Sequence, residues 1–118
     1  HQPKVKSLPS GLQYRVVRAG HGAKPTLQDQ VVVNYEGKLI NGKVFDSSYA
    51  RGKSVTLPLQ GVIKGWQQAL PLMSEGSEWL LYVPSKLAYG AQGAGTVIGP
   101  NQALIFKIEL KRIQHRQS

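Results

Sequence analysis

The chain of 118 residues has no cysteine, a single methionine, two phenylalanines, and six acidic side chains against fifteen lysines and arginines. Without cysteine there is no disulfide framework to staple a small fold and no thiolate to serve as a nucleophile. No apolar stretch approaches the roughly 20 residues that a membrane-spanning helix needs, and the N-terminal "HQPKVKSLPSG" has no apolar signal segment. Histidine is scarce: His1, His21 and His115 sit at the termini or in a turn, and no His, Asp and Glu grouping has metal-ligand spacing. No serine stands in a nucleophile-elbow pattern, and Gly90, Gly93 and Gly95 neither follow a suitable strand nor open a helix, as a phosphate-binding loop requires. Any chemistry left to the chain therefore needs no metal, no cofactor and no covalent catalyst.

What is abundant is positive charge, a formal +9, which suits nucleic acid, an anionic membrane surface or an acidic protein. Its distribution argues otherwise. Lys24, Lys38, Lys43, Lys53, Lys64 and Lys86 are scattered singly, and only "PKVK" and "KRIQHR" at the ends are enriched. This reads as a solvated basic surface, and no nucleic acid partner is expected. The length suits one domain with one modest core. Residues 1–10 read as an N-terminal extension or linker, 11–114 as the domain and 115–118 as a tail; beginning on His1 rather than Met, the chain reads as a processed protein or an excised piece.

The pattern along the chain is of strands with one helical interruption. "LQYRVV" (12–17) and "QVVVNYEGKLI" (30–40) are rich in β-branched and aromatic residues, and Asn41-Gly42 signals a hairpin that sends "KVFDSS" back antiparallel. "SVTLPL" reads as an edge strand, since Pro58 cannot donate to a ladder. "VIKGWQQALPLM" sets Ile63, Trp66, Leu70 and Met73 at helical spacing until Pro71 disfavours more. "EWLLYVP" and "ALIFKIELKRI" complete the strands, the second burying Leu104, Phe106, Ile108 and Leu110 on one face. Between these two runs a long loop, 85–102, carries four glycines; loops of that length are commonly functional. The fold class is α+β, an antiparallel sheet wrapped over one short helix.

"VFDSSYARGK" (44–53) poses the sharpest question. Neighbouring side chains of a strand point to opposite faces, so Phe45 and Asp46 can share a pocket only where the strand ends or twists. Tyr35, Phe45, Val62, Ile63, Trp66, Tyr89, Ile98 and Phe106 can converge on such a pocket if the helix packs against the sheet and the long loop covers one end. Each, taken alone, is equally at home as ordinary core, and Asp46 can simply cap its own turn through "DSS".

Order and spacing say more than any single residue. "VVVNYEGKLINGKVFDSS", "GVIKGWQQALPLMSEGS" and "LAYGAQGAGTVIGPNQALIFKIEL" resemble the signatures of FKBP-type peptidyl-prolyl cis/trans isomerases. "LPSGLQYRVV", "YVPSKLAYG" and "IGPNQALIFKI" are most similar to the bacterial macrophage infectivity potentiator (Mip) branch, and the likeness runs from about Leu8 to Ile113. The resemblance implies a strongly curved half-barrel around the helix and isomerisation of Xaa-Pro bonds. It assigns catalytic roles to Asp46, Ile63 and Tyr89, with the Ile63 N–H and the Tyr89 hydroxyl donating to ligand carbonyls. Substrate binding falls on Tyr35, Phe45, Arg51, Val62, Trp66, Ile98 and Phe106, with Trp66 as floor and Asp46 held by Tyr35 and Arg51. The implied partners are Xaa-Pro peptides, unfolded proteins and macrolides of the tacrolimus and rapamycin type.

The chain departs from better-known members at Val55, where many carry an aromatic residue, and at Ala94-Gly95, where human-type members have a larger side chain and a proline; a lower wall and a more mobile loop are expected. The resemblance also implies an upstream helical dimerisation module in a longer, homodimeric parent. Pro3, Pro9 and Gly11 let the first residues here form no such helix, so a monomer is expected. It favours a bacterial periplasm or cell envelope, with cytoplasm open. Two other classes stay open: a module that binds proline-containing or apolar segments with little turnover, and a basic interaction domain.

Overall fold

A computed structural model of the chain describes residues 5–94 and 98–114. Strands β1 (Lys6–Ser7), β2 (Gln13–Arg18), β3 (Gln30–Leu39), β4 (Val44–Ser47), β5 (Val55–Pro58), β6 (Glu78–Val83) and β7 (Leu104–Gln114) form one sheet, and every pairing is antiparallel. Its order is β1-β2-β6-β7-β3-β4, with β5 pairing β3 beside β4. The central pair, β3 with β7, runs from Gln30↔Gln114 to Leu39↔Leu104. Pro58 sits where the sequence places it, on a strand whose only partner among the described residues is β3. Lys6–Ser7, inside the stretch read as an extension or linker, adds a short strand to the edge of β2.

The helix expected around Trp66 is α2 (Lys64–Ala69), continued by a 3₁₀ turn at Leu70–Leu72 in which Pro71 ends the regular bonding. It packs on the apolar face of the sheet. Trp66, Ala69, Leu70 and Met73 join Leu81, Val83, Leu104, Phe106, Ile108 and Leu110 in one buried cluster. Contact is close because Gly65 has no side chain: a Cβ there would lie 2.7 Å from Val83 Cγ1. A one-turn helix the sequence reading did not separate, α1 (Ser48–Arg51), follows β4, and the Ser47 hydroxyl accepts its capping bond from the Ala50 N–H at 3.2 Å.

Two irregularities matter for function. Along β3 the partners of β4 step from Gly37↔Asp46 to Lys38↔Val44, which leaves Phe45 as an extra, unpaired residue. That is a β-bulge, and it re-aims side chains on the bulged strand. The long loop folds into 3₁₀ turns at Ser85–Leu87 and Gly90–Gln92 and is pinched by reciprocal backbone bonds between Ala94 and Ile98 of 2.8 and 3.1 Å. Gly95, named above in the departure from human-type members, lies outside the described residues, as do His1 and His115.

Candidate functional site

The bulge answers the question set by "VFDSSYARGK". With Phe45 out of register, Phe45 and Asp46 both line a cleft of about 230 Å³ instead of facing opposite ways. Trp66, 5% exposed, forms its floor. Tyr35 and Phe106 meet the indole edge-on, with centroids 5.2 and 5.1 Å away, and Phe45 meets Phe106 at 5.7 Å and 84°. Such perpendicular packing is the favourable arrangement for aromatic pairs. The two phenylalanines lean over the backbone of Gly37, where a Cβ would come within 2.6 Å of Phe45 and 2.8 Å of Phe106. An isolated glycine inside a strand is the sequence signal of such a close approach.

The opposite wall is Val62 and Ile63, on the segment that leads into α2, and Tyr89 of the long loop closes one end. Leu57 and Gly61 also line the cleft. Neither was anticipated, although Leu57 alternates with exposed Thr56 and Pro58 along β5. Val55 is not among the lining residues, so on this strand the wall falls to Leu57. Two expected residues are placed differently. Ile98 is buried in the core cluster through its bridge to Ala94, and Arg51 stands behind Asp46 instead of lining the cleft itself.

Asp46 is bound on both oxygens. The Tyr35 hydroxyl donates to Oδ2 at 2.5 Å, Arg51 Nη1 donates to Oδ1 at 2.6 Å, and Arg51 Nη2 reaches the Tyr35 oxygen at 3.3 Å. Partial burial pushes the carboxyl upward, but the hydrogen bonds from Tyr35 and Arg51 and the guanidinium charge outweigh it, so Asp46 titrates below the ordinary carboxylate range. Ser47, not Asp46, makes the side-chain cap of the following turn. Tyr35 is itself held by Ser48, a fully buried hydroxyl that accepts from the Tyr35 N–H at 2.9 Å.

Besides the Trp66 indole N–H, two further donors at the cleft stay uncommitted. Ile63 is the N-cap of α2 with no side-chain cap, and no acceptor takes its N–H among the described residues. Burial, and then the charge of Asp46, raise the Tyr89 hydroxyl above the ordinary tyrosine value, so it stays protonated and able to donate. No group of His, Cys, Asp and Glu that could hold a metal occurs among the described residues, and no described helix is long and apolar enough to cross a membrane. A larger depression of about 530 Å³, lined by Asn34, Ser48, Tyr49, Lys53, Ser54 and Lys111, is polar, and Tyr49 is its single aromatic residue among the described ones.

Residues 21–111 match the family model described as FKBP-type peptidyl-prolyl cis-trans isomerase. The chain is 60% identical over 116 residues to the peptidyl-prolyl cis-trans isomerase Mip of Coxiella burnetii, covering 98% of this chain and 50% of that protein. Among solved structures, a peptidyl-prolyl cis-trans isomerase from Pseudomonas syringae pv. tomato superposes with a TM-score of 0.91 at 40% identity, covering 97% of this chain and 84% of that one. FkpA from Escherichia coli gives 0.92 at 43% identity, covering 97% of this chain and 53% of that one. The chain spans about half the length of the curated relatives it matches.

Proposed function

The chain belongs to the FKBP-type peptidyl-prolyl cis-trans isomerase family and is similar to Mip, and we propose that the cleft over Trp66 is where it turns Xaa-Pro bonds. One observation carries this reading: an aromatic cleft of about 230 Å³ in which Asp46, the only charged lining residue among the described ones, is already paired, and beside which the Ile63 N–H and the Tyr89 hydroxyl have no acceptor. That inventory suits a reaction with no proton to move.

Rotation of a peptide bond is opposed by amide resonance, a barrier of about 18–20 kcal/mol, and unassisted prolyl isomerisation takes tens to hundreds of seconds. At the barrier top the carbonyl and nitrogen are decoupled, so the amide is less dipolar than when planar. An apolar, water-poor cleft favours the twisted form relative to the planar one, and only such differential binding accelerates the step, about tenfold for every 1.4 kcal/mol. Trp66, Phe45 and Phe106 shape the space for a pyrrolidine ring. The Ile63 N–H and the Tyr89 hydroxyl take carbonyls of the chain on either side and fix its orientation. Asp46, ionised and held by Arg51, orients the Tyr35 ring against the floor. The substrates are exposed Xaa-Pro segments of peptides and unfolded proteins, and macrolides of the tacrolimus and rapamycin type compete by presenting a proline-like ring to the same floor.

A cis/trans assay on Xaa-Pro tetrapeptides, with and without such a macrolide, tests the proposal. Turnover abolished by saturating macrolide is expected. Turnover that persists under saturation rules out a shared cleft, and macrolide binding without turnover makes the domain a binding module instead.

A further inference from the structure

The segment that supplies the Ile63 donor has an unusual support. Leu59, fully buried, anchors one end through its N–H to the Asp29 carbonyl at 3.1 Å. The Ile63 carbonyl anchors the other, accepting from the N–H groups of Trp66 and Gln67 at 3.0 and 3.1 Å. Between these points run Gln60, Gly61 and Val62, of which Gly61 and Val62 line the cleft, and Ile63 lacks a side chain able to cap α2. The side chain of Gln67, one helical turn on, reaches back over this stretch. Its Nε2 donates to the Val62 carbonyl at 2.8 Å and to the Gln60 carbonyl at 3.3 Å. Both partners are acceptors, so only the amide NH₂ end can face them.

One of those two carbonyls shares its peptide plane with the free donor. No cis peptide occurs among the described residues, and in a trans peptide the C=O of Val62 and the N–H of Ile63 lie in one plane and point in opposite directions. Fixing the Val62 oxygen therefore fixes the direction of the Ile63 hydrogen. We infer that Gln67 is a positioning residue: it never touches the substrate, and through the Val62–Ile63 peptide plane it aims the donor that receives the substrate carbonyl. This rests on the reading of the cleft given above. The geometry also explains how a rim without a capping side chain keeps one orientation. Rotating that plane would cost the 2.8 Å bond and turn the Val62 carbonyl toward an apolar site.

The role predicts a particular pattern of damage. A donor that grips planar and twisted amide alike contributes uniform binding, whose loss raises KM and leaves kcat. Gln67→Leu keeps the bulk and removes both donors, while Gln67→Glu sets a carboxylate against two carbonyls. For Gln67→Leu we expect KM on a tetrapeptide to rise about tenfold, with kcat within about twofold. Macrolide affinity should weaken in step, the ¹H–¹⁵N resonance of Ile63 should shift or broaden, and the melting temperature should stay near the parent's. Gln67→Glu should be worse on each binding readout. Unchanged KM and an unchanged Ile63 resonance in both variants would overturn the role, as would a fall in kcat that merely follows a lowered melting temperature. Failure of the cleft reading looks different: macrolide would leave the parent's Ile63 resonance in place. The effect of Gln67→Leu on that resonance without ligand decides the positioning role in either case.

Discussion

At Asp46 opposing influences meet within one side chain: burial favours the neutral acid, while Tyr35 and Arg51 favour the anion and prevail. Because the folded-state value is depressed, the ionised form stabilises the native site at all pH above the ordinary carboxylate value and loses that effect only as pH falls through the lower native one. Tyr89 is displaced upward, so its hydroxyl keeps its proton until well above pH 9. The kcat/KM profile on peptides should accordingly be flat between about pH 5 and pH 9; a sigmoid inside that window would indicate proton transfer. Asp46→Asn should keep most activity, because the amide oxygen can still accept from Tyr35. Asp46→Leu should cost about 1–3 kcal/mol in transition-state binding by leaving Tyr35 and Arg51 without their acceptor, and steady-state kinetics on the two variants separates them. Trp66 is a different kind of residue, a buried ring whose indole nitrogen finds no acceptor among the described residues. Trp66→Ala should abolish macrolide binding and lower stability by about 3–5 kcal/mol in urea unfolding. A variant as stable and active as the parent would show that Trp66 is not the floor.

Among elements, α2 is the one whose placement decides the site, because it carries Trp66 and is approached through Ile63. Its distance from the sheet is set at Gly65 against Val83, which is 1% exposed and has nowhere to move. Gly65→Ala should therefore lift the helix and cost about 1–3 kcal/mol by overpacking, with weakened peptide binding. Val83→Ala makes room, so the double variant should be more stable than the sum of the two single losses, by at least about 0.5 kcal/mol in a double-mutant cycle. Strict additivity would show that the two do not touch. The strand β4 works in another way. Its bulge at Phe45 is a shift of pairing, worth one residue, that places an aromatic wall and a carboxylate side by side.

For the whole molecule, the useful contrast is between small and large substrates. A tetrapeptide needs only the cleft, whereas proline-limited refolding of a protein also requires the catalyst to stay near a long chain. Two linked clefts would raise the local concentration. The described domain should match a form of it joined into a dimer on peptides and fall well below that form on protein refolding. Light scattering with paired assays decides this: a stable dimer of these residues, or equal refolding by both, would show that no upstream module is needed.

The succession of strands along the chain, the hairpin of β3 and β4, the edge position of Pro58, the buried face of β7 and the family itself were legible in the sequence, because they depend on local alternation, turn chemistry and the spacing of motifs. So was most of the cleft, from Tyr35 to Phe106. Periodicity cannot show a bulge, since one inserted residue leaves the composition of a strand unchanged while reversing which face follows it. The sharing of one cleft by Phe45 and Asp46 therefore depends on the bulge and not on the strand pattern. Leu57, Gly37, Ser48 and Gln67 escaped for a related reason. Each acts through a partner distant in the chain or across a turn: Val31 beside Leu57, the two phenylalanines over Gly37, Tyr35 above Ser48, the Val62 carbonyl before Gln67. Ile98 and Arg51 were expected among the substrate-binding residues, but neither lines the cleft: Arg51 pairs with Asp46 and Ile98 is buried in the core. Sequence fixes which side chains are available; only the closure of the sheet over α2 decides which of them reach the cleft, because that depends on distances between segments that no local pattern encodes.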